Sequence, residues 1–413
     1  MSAAGIGGSA SLARPIELAG LARGLLWAVG FAGGFVFVEP APYEPIIALA
    51  ALVFFIVGLP LRRAHLPLAF LLIACNTGYM IGVAPVLSAE GTAVWTAISS
   101  FMSLTTLFFA LALSEDTGRR LDLLLKGYVA AAVVISIFGI VTYFHLLPGS
   151  DAYLFAQRSR STFKDPNVLG AFLVLPGVLA MQRMMMGRLR DVLAGAAMTF
   201  PIAIEILLSF SRGAWAVFGA AVVIALALAF VTSASDRERL RIVVFCAIAL
   251  AATGLLLAVI LSVPQVSDLF TERASLIQSY DSGRFGRFGR HILGAELALS
   301  HPFGIGPLQF SKFFPEDPHN SYLDAFMAGG WLSGAAYFAL ILVTLLTGLR
   351  YVFKGTPWRS HYLALYGSFA ALSGESYIID VQHWRHYFLI MGVLWGLIVA
   401  AAAMKAPNGK MMG

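Results

Sequence analysis

Long uncharged apolar runs constrain this chain more than any other feature. The stretch AVFGAAVVIALALAFV (216–231) carries no polar side chain, and comparable runs recur from end to end. With 59% hydrophobic and 12% charged residues, the chain has far fewer charges than the roughly 25% of ordinary soluble domains. A soluble protein of 413 residues could not bury so much apolar surface. A helix crossing a bilayer needs about 20 mostly apolar residues, whereas barrel strands read as short alternating segments. The sequence therefore predicts an all-α polytopic membrane protein.

Hydropathy predicts about twelve transmembrane helices, near 20–38, 46–61, 66–84, 93–113, 128–147, 167–182, 192–209, 213–231, 242–262, 321–349, 361–378 and 387–404. SFSRG (209–213) must turn between the seventh and eighth. This divides the chain into an N-terminal tail (1–19), nine helices (20–262), a long external loop (263–320), three further helices (321–404) and a C-terminal tail (405–413). FVEPAP, after the first run, lacks a small-x-small cleavage pattern, so that run is expected to be retained. Cys75 and Cys246 both fall in apolar runs, and no disulfide framework is expected.

Charge fixes the expected orientation. Alternate connections carry Arg62 and Arg63; Arg119, Arg120 and Lys126; Arg183, Arg188 and Arg190; Arg237, Arg239 and Arg241; and Arg350, Lys354 and Arg359. With Arg14, Arg23, Lys405 and Lys410 toward the termini, 18 of the 28 basic residues share one face, which the positive-inside rule assigns to the cytoplasm. The net charge of +6 is thereby accounted for by membrane orientation, and no nucleic-acid partner is expected.

The remaining basic residues concentrate on the opposite, external face: Arg158, Arg160 and Lys164; Arg212; and Arg273, Arg284, Arg287 and Arg290. Guanidinium grips phosphate oxygens bidentately, so these clusters could converge on a pyrophosphate; each could also meet a lipid headgroup or a nearby Asp268, Glu272 or Asp281. Arg212 could instead form a buried ion pair with Glu205, seven residues earlier. The external loop is long enough to expect a function. Within it, RHILGAELALSHP (290–302) has helical spacing at Ile292, Leu293, Leu297 and Leu299, so one or two short helices are expected on the outer face.

His319, in FPEDPHNSYLDAF (314–326), lies at the external start of the tenth run, where Asn320 is placed to cap the helix. A neutral imidazole there could take a proton from a sugar hydroxyl, oriented by Asp324 or Asp317; it could equally be a hydrogen-bonded helix-end residue. Glu375 and Asp380 lie at the external end of the eleventh run and could meet either an arginine or a substrate. His383 and His386 lack a third ligand, and no H-E-x-x-H, C-x-x-C or phosphate-loop motif occurs, so neither a metal nor another cofactor is expected.

RSTFKDPNVLGAFL (160–173), SFSRGAW (209–215), GRFGRHILGAELALSHPFGIGPLQF (286–310) and PHNSYLDAFMAGGWLSG (318–334), in this order, resemble the O-antigen ligase/polymerase family of bacterial inner membranes. The resemblance implies a GT-C-like fold and a metal-independent inverting glycosyltransferase with its site facing the periplasm. Its donor would be a glycan on undecaprenyl diphosphate, moved to lipid A–core or to a growing polysaccharide; membrane lipids would be its other partners. Carried over, His319 would activate the acceptor, and Arg212 and Arg287 would hold the diphosphate, with Arg284 or Arg290 able to replace Arg287. Arg158, Arg160, Lys164 and Asn320 would bind substrate. A flippase or polysaccharide transporter without glycosyl transfer also fits twelve helices, although its charges should lie near the bilayer midplane within repeated halves.

Overall fold

The computed structural model describes residues 10–185, 188–274 and 283–404. The tail 405–413 with Lys405 and Lys410, residues 1–9, and Asp281 lie outside these. Twelve longer helices occupy the places the hydropathy assigned: α1 (Ala10–Ala32), α2 (Tyr43–Val57), α3 (Leu66–Val83), α4 (Thr92–Ala112), α5 (Thr117–Tyr143), α6 (Pro166–Met184), α7 (Leu189–Leu208), α8 (Arg212–Val231), α9 (Asp236–Ile260), and, after two shorter helices α10 (Pro264–Ala274) and α11 (Arg287–Ser300), α12 (Ser321–Val352), α13 (Arg359–Glu375) and α14 (Arg385–Ala403). Among the described residues nine helices are long and apolar enough to cross a membrane, and the chain is an all-α polytopic membrane protein.

Several expectations shift. The fifth helix starts at Thr117 rather than near residue 128, so Arg119, Arg120 and Lys126 lie in its first turns and not in a connection. The first helix starts at Ala10 rather than near residue 20 and ends at Ala32, because it carries Arg14, Pro15 and Arg23, which depress hydropathy without breaking a helix. In α11, Leu293 is buried, but Ile292 and Leu299 point outward, so the buried stripe runs through Leu293, Gly294 and Ala298.

Helix α14 is the axis of the bundle and is buried almost throughout, whereas α9 meets the protein along very little of its length. A bilayer tolerates an apolar helix exposed in this way, because lipid solvates Leu250 and Leu255 as well as protein would. Helices α3 and α12 pack closely through small residues: Gly78 lies against Ser333 and Gly82 against Ala328.

The helix ends gather in two sets. In one, Lys164 bridges to Glu39 (2.7 Å), Val36 N donates to the Thr162 carbonyl (3.0 Å) and Arg385 pairs with Glu44 (2.5 Å). In the other, Arg62 meets Glu115 (3.2 Å), Arg359 bonds Thr232, and Arg241 donates to the Met185 carbonyl (3.3 Å).

Candidate functional site

At the end bearing α10 and α11, five stretches remote in sequence close around a cavity of about 240 Å³. Arg158 and Asn167 reach it from before and within the first turn of α6; Phe210, Ser211, Arg212 and Gly213 from the α7–α8 turn; Arg273 from α10; Arg287 from α11; and Glu375, Ile378 and Ile379 from the end of α13. Four guanidinium groups thus share one hollow. The starts of α6, α8 and α11 face the same space, adding the partial positive charge of their N-terminal amides. The arrangement suits a multiply charged anion.

Local chemistry fixes the first of these arginines and the turn that carries the second. Arg158 is buried; its Nε donates to the Ser209 carbonyl (2.8 Å) and its Nη2 to Asn167 Oδ1 (2.8 Å), tying the α6 entrance to the α7–α8 turn. Ser211 caps α8 by accepting from Ala214 N (3.2 Å). Phe210 before it holds φ 45°, a left-handed conformation strained for a non-glycine residue. The ion pair between Glu205 and Arg212 does not form: fully buried Glu205 takes its hydrogen bond from Ser159 Oγ (2.5 Å), one turn below the cavity, while Arg212 turns into it.

The three evenly spaced arginines separate. Arg287 lines the cavity. Arg290, only 3% exposed, bonds Glu316 (2.6 Å) and the Asp317 carbonyl (2.9 Å). Arg284 lies over the Phe285 ring (5.8 Å). Arg160 donates to the Ala152 carbonyl (2.9 Å) and Lys164 pairs with Glu39, so neither joins Arg158 in the cavity. Asn320 is an N-cap, its Oδ1 accepting from Tyr322 N and Leu323 N (both 3.1 Å).

His319, at φ 49°, is again left-handed for a non-glycine residue, and it is joined to this hollow through Asp380, which follows the lining residue Ile379. Its Nδ1 meets Asp380 Oδ2 at 3.2 Å, so the orienting carboxylate is Asp380, not Asp324 or Asp317. The pairing follows from how α12 starts. Ser321 N donates to the Ser376 carbonyl (2.9 Å), Ser321 Oγ donates to the Ile379 carbonyl (3.0 Å), and the same hydroxyl accepts from Val381 N (2.8 Å). These bonds lay the 376–382 segment along the His-Asn corner. Sequence reading noted Asp380 without assigning it; the visible signal was a carboxylate at the external end of the eleventh run.

On the far side of Asp380 lies a second cavity of about 260 Å³, lined by Trp95, Gln309, Asp317, Asp324, Asp380, Gln382, His383 and Trp384 among others. It carries carboxylates, amides and indoles where the first carries guanidinium groups. Burial, and then the nearby Asp380, push the Asp317 carboxyl above its ordinary range. Burial pushes His383 down to about 4, so it is neutral at physiological pH; its Nε2 lies 2.9 Å from Ser99 Oγ. Burial, and after it the charges of Arg287 and Arg290, lower His291 as well.

The fold and this pair of cavities define a multi-pass membrane protein with an arginine-lined hollow at one end and a histidine–carboxylate pair close by. A family model described as O-antigen ligase matches residues 197–338, from α7 through the α7–α8 turn, α10, α11 and His319 into α12. That match supports the resemblance carried by the motifs and places this segment in the O-antigen ligase/polymerase family. Arg158 and Asp380 lie outside the matched residues; the motif RSTFKDPNVLGAFL pointed toward the first, and only the geometry brings in the second. No curated protein matches the chain.

Proposed function

We propose that this protein is a periplasm-facing glycosyltransferase of the inner membrane that moves a glycan from undecaprenyl diphosphate to a hydroxyl of lipid A–core or of a growing polysaccharide. The observation that carries the reading is the convergence of Arg158, Arg212, Arg273 and Arg287 on one hollow beside the His319–Asp380 pair. The diphosphate of the donor lies among the arginines. The acceptor sugar enters from the side of the carboxylate- and tryptophan-lined cavity, where hydroxyls find acceptors and a sugar face finds Trp95 or Trp384.

Asp380 holds His319 through Nδ1, which leaves Nε2 for the acceptor hydroxyl. His319 takes that proton as the oxygen attacks the anomeric carbon from the side opposite the diphosphate, inverting the centre. The departing charge develops against guanidinium groups already in place, so little reorganisation is needed. The arginines lie at one end of the bundle, which favours group transfer at a surface over passage through the midplane.

The test is transfer by the purified protein, with lipid-linked glycan as donor and lipid A–core or a second lipid-linked repeat as acceptor. His319→Ala should lower the rate about 10²–10⁴-fold, the usual worth of a general base. Undiminished product from that variant removes His319 from the chemistry. Movement of lipid-linked sugar across sealed vesicles without a new glycosidic bond replaces the proposal with the transporter reading.

A further inference from the structure

Resting on that reading, we propose that Glu375 is a catalytic residue that donates a proton to the diphosphate leaving group. Glu375 lines the arginine cavity yet is only 4% exposed. Its Oε2 is buried without a hydrogen-bond partner, and among the described residues no cation pairs with either oxygen although four arginines line the same hollow. An ionised carboxylate in such surroundings would be costly unless paired, and beside a diphosphate it would repel the substrate. An uncharged carboxyl group fits both observations: it needs no counter-ion, and its O–H is a donor for a phosphate oxygen.

The position is held from two sides. The Glu375 carbonyl accepts from Ile378 N (2.8 Å) and Ile379 N (3.2 Å), closing the end of α13. Across the cavity, Gly213 leaves the opening into which the carboxyl projects, since a Cβ at that position would run into Glu375 Oε1. The glycine after Arg212 is thereby tied to Glu375 and not only to the helix it starts.

The step balances without a further reactant. The acceptor oxygen gives its proton to His319 and forms the new bond to the anomeric carbon. The bond from that carbon to the diphosphate oxygen breaks, with its electron pair going to that oxygen, which takes the proton of Glu375. The resulting Glu375 carboxylate pairs with the arginines that the diphosphate vacates, which assists product release. Water then returns the proton of His319 to Glu375.

The experiment compares wild type with Glu375→Gln in two measurements: glycan transfer, and binding of inorganic pyrophosphate to the purified full-length protein. Glutamine keeps the shape and an N–H donor but has no proton to give. Transfer should fall by about 10²-fold or more, while pyrophosphate affinity stays within about threefold. Transfer within about threefold of wild type overturns the proposal, as does an affinity change as large as the rate change, which would make Glu375 a counter-charge. Loss of the folded state in the Gln variant overturns it too, since it would reveal a structural partner for the carboxylate. A wild type that transfers to no acceptor at all instead brings down the glycosyltransferase reading itself.

Discussion

Arg287 and Arg290 are identical side chains three positions apart, and the fold gives them opposite work. Arg287 ends in the cavity, while Arg290 is buried and its Nη1 donates to Glu316 and to the Asp317 carbonyl. Arg287→Ala should therefore cost about 10²–10³-fold in transfer, the usual effect of losing one charge-stabilising donor. Arg290→Ala should do the reverse in kind, lowering unfolding free energy by about 1–3 kcal/mol as a buried donor set to charged and carbonyl partners is lost. Its Glu316 partner is largely exposed, which keeps the effect toward the lower value. Rate and denaturation measurements on both variants check this; equal loss of rate at unchanged stability would mean both arginines serve the substrate. The spacing in GRFGRFGRH could not make this distinction, because Arg290's partners lie 26 and 27 residues downstream. His319 has the same history. Its corner was legible from its turn formers, but its carboxylate is 61 residues away in sequence.

At the scale of elements, the external loop is fastened by a break in α12. Gly329 and Gly330 leave helical geometry, with Gly330 at φ 69°, and the loop fills the gap. Ile305 N and Gly306 N donate to the Met327 carbonyl (2.7 and 3.2 Å), and Trp331 N donates to the Pro302 carbonyl (2.9 Å). The HPFGIG and MAGGW stretches are thus two halves of one joint that sets where α11, and with it Arg287, stands. Gly330→Ala should open it, because the new methyl would meet the Pro302 carbonyl and the left-handed backbone disfavours any side chain. Strain of this kind costs about 1–3 kcal/mol. The variant should melt lower and lose transfer while still inserting in the membrane; wild-type melting and rate would mean the joint does not hold the loop. Hydropathy located α12 because apolar content survives a kink, with the predicted 321–349 against Ser321–Val352 observed. It was blind to the kink itself, since a pair of glycines in an apolar run has no hydropathy signature. The α7–α8 turn, by contrast, was legible: SFSRG interrupts the apolar run, and a serine in it caps the next helix.

At the scale of the whole molecule, what organises function is which compartment the two ends face. The arginine cavity lies at one end, with the α5–α6 connection, the α7–α8 turn, the long loop and the α13–α14 connection. At the other end Asp122, Lys126, Arg183, Asp191 and His361 edge a larger, mostly apolar groove of about 790 Å³. Basic residues are numerous at that second end but dispersed, as expected of an anchor against the cytoplasmic surface. At the first end they are fewer and converge, as expected of a site whose binding energy offsets the unfavourable placement. Cysteine labelling decides the orientation. In a background with Cys75 and Cys246 replaced by Ser, Lys312→Cys at the cavity end should react with a membrane-impermeant maleimide in right-side-out vesicles. Leu189→Cys, exposed at the opposite end, should react only after permeabilisation. The reverse pattern would turn the arginines toward the cytosol. A site so placed could not meet a lipid-linked glycan presented outside, whatever its internal geometry, so this one measurement bears on every role assigned to Arg212, Arg287 and His319.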